Sequence, residues 1–133
     1  MHGIDQGPVR VLVVDDDPNH LRLLASGLRL EGFDVASAAG ADEALVHLGN
    51  GEFDLAILDV MMPGVSGLDL ARRMSREFPG VRTVLMSAYH LSERQVRLAA
   101  CGAVGFIPKP YRIEELAAYL RQKAQPLSRA AAG

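Results

Sequence analysis

Short apolar runs and longer stretches of helical period alternate along the whole chain. Val9 to Val14 is rich in valine and stops at three aspartates, as a strand buried on both faces does. A helix is predicted next, with Pro18 in its first turn, Leu21, Leu24 and Leu28 on one face, and Gly32 at its end. Phe33 to Ala36 alternates apolar with polar, which predicts a half-exposed strand, and Ala41, Ala44, Leu45 and Leu48 define a second helix. Leu55 to Leu58 is again continuous and stops at Asp59. Ser66 then suits the cap of a helix carrying Leu70, Ala71, Met74 and Phe78. Arg82 to Met86 is the next run and stops at Ser87. A weaker helix follows, with Ser92 at its start and Val96, Ala99 and Ala100 facing inward. Val104 to Ile107 alternates and leads into Pro108-Lys109-Pro110. Ile113, Leu116, Ala117 and Leu120 mark the last helix.

Five strand-helix units imply an α/β fold, a doubly wound (βα)5 parallel sheet with helices on both faces. The three continuous runs belong at the centre and the two alternating ones at the edges, which fits a strand order of 2-1-3-4-5. With 133 residues the chain is read as one domain over residues 9–124. Residues 1–8 form an extension, and residues 125–133, small and polar, form a tail or the start of a linker.

Composition removes several classes of function. Apolar residues make up 49% and charged residues 23%, with a net charge of −2, which is an ordinary globular mix and not a disordered one. Without a cluster of Lys and Arg, and with no Trp, nucleic-acid binding by this chain alone is not expected. No apolar run is long enough for a membrane helix, and the first residues lack the pattern of a secretory signal, so a cytoplasmic location is expected. Cys101 stands alone and calls for no oxidising compartment.

The polar residues are informative through position. Asp15-Asp16-Asp17, Asp59, Ser87 and Lys109 each follow a different predicted strand. In an open α/β sheet ligands bind at those C-terminal ends, so residues far apart in sequence are expected to meet there. Singly, each has a plainer reading: an aspartate before a helix is commonly an N-cap, the expectation for Asp17, and a lone lysine a solvated charge. Together, crowded carboxylates call for a cation, and oxygen ligands in an open site suit Mg2+. His2, His20, His47 and His90 are too scattered for zinc and are read as ordinary surface or core residues. A metal with an ammonium and a hydroxyl beside it can also hold a phosphoryl group, and a carboxylate can take that group covalently. Asp59, on a central strand, is the best nucleophile.

These residues are arranged as VLVVDDDP, LAILDVMMPGVSGLDL, VLMSAY and GFIPKP, in that order. In this the sequence resembles the response-regulator receiver domain of two-component signalling, from about Val9 to Lys123, a flavodoxin-like fold. The resemblance implies that Asp59 is the phospho-acceptor and that Asp15, Asp16, Asp59 and the backbone carbonyl of Met61 hold Mg2+. It makes Lys109 the lysine that contacts the phosphoryl group, Pro110 a cis-proline, Ser87 the switch hydroxyl and Phe106 the switch aromatic. Met61 and Tyr89 fall where side chains modulate the rate of dephosphorylation, and the bulk of Tyr89 is expected to restrict the hydrolytic water. The implied donor is a histidine kinase, a phosphotransfer protein or a small acyl phosphate. The implied output is a change in the face formed by the fourth predicted helix, the fifth strand and the last helix, read by an effector protein or by an output domain. Dimerisation through that face is common in the family. In this reading the protein is a signalling switch, catalysing only its own phosphoryl transfer and dephosphorylation.

Four other readings fit the residues less well. A calcium loop starting at Asp15 would need Gly where His20 stands and Glu where Ser26 stands. A flavin-phosphate site would meet three aspartates after the first strand. An aspartate-nucleophile phosphohydrolase would make Asp15 the covalent site, and normally has Thr where Asn19 stands. A phosphorylation-independent interaction module usually loses an acid or the lysine, and this chain retains the set.

Overall fold

The computed structural model describes residues 7–62, 64, 66–88 and 100–124. Five parallel strands, β1 (Arg10–Val14), β2 (Asp34–Ala38), β3 (Leu55–Asp59), β4 (Arg82–Ser87) and β5 (Gly105–Pro108), form one sheet in the order β2-β1-β3-β4-β5. The described helices are α1 (Pro18–Leu30), α2 (Ala41–Asn50), α3 (Gly67–Glu77) and α4 (Ile113–Ala124). The expected architecture and strand order are both present. The helix expected from Ser92 onward lies, apart from Ala100, outside the described residues.

Successive residues of a strand face opposite sides of the sheet, so each central strand feeds two cores. Val11, Val13, Ile57 and Val84 pack with Leu28 of α1 and Leu120 of α4. Leu12, Val14, Leu58 and Leu85 pack with Leu48 of α2 and Met74 of α3. This is why the runs in β1, β3 and β4 are continuously apolar, whereas the edge strands keep exposed or half-buried positions.

Helix ends are set by local chemistry. The Asp17 carboxylate accepts from the amides of Asn19 and His20, so it caps α1 as expected, with Pro18 in the first turn. At the other end Gly32 has φ +97°, and the amides of Gly32 and Phe33 donate to the carbonyls of Arg29 and Leu28 at 3.0 and 3.1 Å. That pairing closes a Schellman motif, and the left-handed residue in it is glycine because a Cβ there is strained. The Ser66 hydroxyl accepts from the Asp69 amide and starts α3. Strand limits differ from the pattern by one or two residues, the larger difference at the end of β2, which runs to Ala38. β5 runs one residue later than the alternation suggested, because pairing with β4 matches Ser87 to Pro108.

Candidate functional site

Strand register brings the polar residues together. Val14 of β1 pairs with Leu58 of β3, so Asp15 and Asp59 emerge level at the C-terminal edge. Asp59 in turn pairs with Met86, one residue before Ser87 at the end of β4. β5 ends at Pro108, and the next amide, that of Lys109, donates to the Ser87 carbonyl at 2.8 Å. The parallel sheet thus gathers residues from four segments on one edge.

The carboxylates of Asp15, Asp16 and Asp59 each offer an oxygen, all within 4.8 Å of one another. Asp15 and Asp59 are buried, 2% and 7% exposed, while Asp16 is exposed. Lys109 reaches in from the side. Its Nζ lies 3.1 Å from Asp59 Oδ2 and 3.8 Å from Asp15 Oδ2. The other oxygen of Asp59 accepts from the Met61 amide at 3.0 Å, and Asp15 Oδ1 accepts from the Asp17 amide at 2.9 Å. The three carboxylates outweigh the ammonium by two charges, and their donors are hard oxygens, a set that fits Mg2+.

Ser87 is buried at the end of β4. The Lys109–Pro110 peptide is cis. Phe106 lies on β5, half-buried against the core that α2 and α3 cover, and its amide donates to the Tyr119 hydroxyl at 3.0 Å. The Met61 side chain is exposed. Tyr89 lies outside the described residues.

Three residues beside the site were not singled out by the sequence. His20, read as an ordinary histidine, hydrogen-bonds Asp15 Oδ2 through Nδ1 and the Tyr111 hydroxyl through Nε2, the latter at 2.7 Å. Tyr111 follows Pro110; burial, and then the Asp15 carboxylate, push its phenol up to about 12. Gly67, the first residue of α3, packs on the backbone after Asp59: a Cβ there would sit 2.2 Å from the Asp59 carbonyl oxygen. Only the proximity of His20 to the aspartates and of Tyr111 to Lys109-Pro110 hinted at the first two.

The family model for the response regulator receiver domain matches residues 11–121. The transcriptional regulatory protein TcrX of Mycobacterium tuberculosis, described as probable, is 34% identical over 121 residues, which are 91% of this chain and 52% of that protein. The DNA-binding response regulator MtrA of Mycolicibacterium smegmatis is 37% identical over 86% of this chain and 50% of its own length. The chain therefore spans about half the length of the curated relatives it matches. Among solved structures, a CheY-like response regulator receiver domain protein from Methanospirillum hungatei superposes with a TM-score of 0.81 at 30% identity, covering 89% of this chain and 94% of that one. The response regulator TrrA of Thermotoga maritima, solved in complex with Mg(2+)-BeF, gives a TM-score of 0.76 at 34% identity over 86% of this chain and 98% of its own. Among the described residues no helix is long and apolar enough to cross a membrane.

Proposed function

This chain belongs to the response regulator receiver family of two-component signalling, and we propose that Asp59 is the residue on which it accepts a phosphoryl group. The observation that carries this reading is the Lys109 ammonium 3.1 Å from Asp59 Oδ2, beside two further carboxylates within 4.8 Å. Asp59 is suited to be the nucleophile because it is fixed at both ends. The Met61 amide holds Oδ1 and Lys109 holds Oδ2. An attacking carboxylate kept in one orientation has little entropy left to lose.

In the transfer, a carboxylate oxygen of Asp59 forms a bond to phosphorus as the bond to the donor's histidine nitrogen, or to an acyl oxygen, breaks. The donor leaves with that electron pair. Lys109 balances charge that builds on the phosphoryl oxygens. Asp15, Asp16, Asp59 and the Met61 carbonyl would hold Mg2+, which supplies charge neutralisation between carboxylates and phosphoryl group. Ser87, at the end of β4, donates its hydroxyl to the phosphoryl group, and Phe106 on the neighbouring strand moves inward to the space left. Tyr89 and Met61 set how easily water reaches the acyl phosphate.

The remainder of the proposal concerns context. Residues 9–124 are the receiver unit, the phosphoryl donor is a histidine kinase or phosphotransfer protein in the cytoplasm, and the reader of the face formed by the fourth predicted helix, β5 and the last helix is an effector or an attached output domain. Dimerisation through that face belongs to the same proposal.

The test is mass spectrometry of the intact protein and its peptides after incubation with acetyl phosphate and Mg2+, with Asp59→Ala alongside. A Mg2+-dependent adduct on Asp59, absent from the variant, is expected. An adduct on Asp15 would mean a phosphohydrolase-type nucleophile, and no adduct on the folded protein would mean a phosphorylation-independent interaction module.

A further inference from the structure

Asp15 is the most enclosed carboxylate of the site, and its orientation is not left to packing. Oδ1 is held by the Asp17 amide, whereas Oδ2 is held by a side chain from the first turn of α1, His20. A histidine in a helical first turn is ordinarily solvated. This one is about a fifth exposed and has a partner on each ring nitrogen. The second partner, the Tyr111 hydroxyl, comes from 91 residues further along, just past the cis Lys109–Pro110 bond. The two rings meet edge to face, with centroids 5.8 Å apart.

We infer that His20 and Tyr111 are a positioning pair that fixes the Asp15 carboxylate for a divalent cation. The inference rests on the reading of Asp15 as a metal ligand. The pair works through its hydrogen-bond direction. A phenol that stays protonated donates to Nε2, which leaves the ring proton on Nδ1, where it donates to Asp15. Without the phenol the carboxylate still keeps the ring proton on Nδ1, but the ring loses the second anchor that fixes its angle to Asp15. A carboxylate has about four acceptor directions, so one bond from His20 leaves Oδ2 able to bind a cation. Partners of this kind orient a ligating group and commonly change metal affinity by about 10- to 100-fold when removed. The pair also joins the loop that carries Asp15 to the loop that carries Lys109, so the cation and the lysine are positioned by one connected unit.

Mn2+ binding is measured by loss of the free-ion electron paramagnetic resonance signal, on the wild type, His20→Ala, His20→Asn and Tyr111→Phe. Urea unfolding of each in chelator, and the nitrogen-15 spectrum of the His20 ring, are recorded in parallel. His20→Ala is expected to weaken Mn2+ binding by about tenfold or more. Tyr111→Phe, which keeps the ring, is expected to weaken it by a few-fold and to shift the Nε2 resonance as that nitrogen loses its hydrogen bond. His20→Asn, which retains a donor near the Nδ1 position, is expected to recover part of the loss. Variants that lose stability but bind Mn2+ within about twofold of the wild type would make the pair a packing contact and overturn the inference. A wild type that binds no Mn2+ would instead overturn the metal-ligand reading of Asp15, and the pair's role with it.

Discussion

Replacing Lys109 with methionine keeps an unbranched side chain of similar length while removing its charge from between two buried carboxylates. At an effective dielectric near 20, opposite unit charges at the observed 3.1 Å attract by about 5 kcal/mol and at 3.8 Å by about 4 kcal/mol. Much of that gain is offset by the cost of taking the charges out of water. Removing one partner of a fully buried pair costs about 3–5 kcal/mol, because the other is left unbalanced. The Lys109 side chain is 25% exposed, which selects the lower end, about 3 kcal/mol. Urea unfolding in chelator, followed by circular dichroism, reads this directly. With a slope of about 2 kcal/mol per molar, the midpoint should fall by about 1.5 M. Excess Mg2+ should then stabilise Lys109→Met by more than it stabilises the wild type, since the cation no longer competes with an ammonium for Asp15 and Asp59. A loss below about 1 kcal/mol in chelator would show that Lys109 does not balance these carboxylates, against the expectation for a buried pair. Equal stabilisation of both proteins by Mg2+ would show that the ammonium and the cation do not share them.

Two further outcomes follow from the surroundings of the site. Gly67→Ala should lower stability by about 1–3 kcal/mol, the range for overpacking, because its Cβ would meet backbone atoms of Asp59 and Val60 at 2.2 and 2.8 Å; an unchanged urea midpoint would refute that close approach. The Tyr111 phenol lies at about 12 in the folded protein, above its ordinary 10.0, so its contribution to stability is whole below the lower value and is lost as pH rises through the upper one. A tyrosinate absorbance titration should therefore show a late step that Tyr111→Phe removes, and a wild type without that step would contradict the burial of this ring.

Periodicity alone located the described helices, and the contrast between continuous and alternating apolar runs ordered the strands. Both signals arise from burial, which a sequence records residue by residue: β1, β3 and β4 are covered on two faces, and β2 and β5 are edges. The convergence of Asp15, Asp16, Asp59 and Lys109 was legible for a related reason. In a parallel sheet every strand ends at the same edge, so residues following strands must meet there. The cap roles of Asp17 and Ser66 are local and were equally readable.

Other features depended on contacts with no local trace. His20 is set apart from the other histidines only by its nearness to the aspartates, and its role stays hidden in the sequence because its partner Tyr111 lies 91 residues away. The need for glycine at position 67 comes from the backbone of β3 passing beneath the start of α3, a distance set only when the helix packs on the sheet. The sequence by itself determined the elements, their order in the sheet and the edge at which the charged groups collect, since these follow from burial and chain direction. Tertiary structure alone decided which oxygen each group holds and which side chains steady Asp15, because hydrogen bonds depend on tenths of an ångström between segments that only packing brings together.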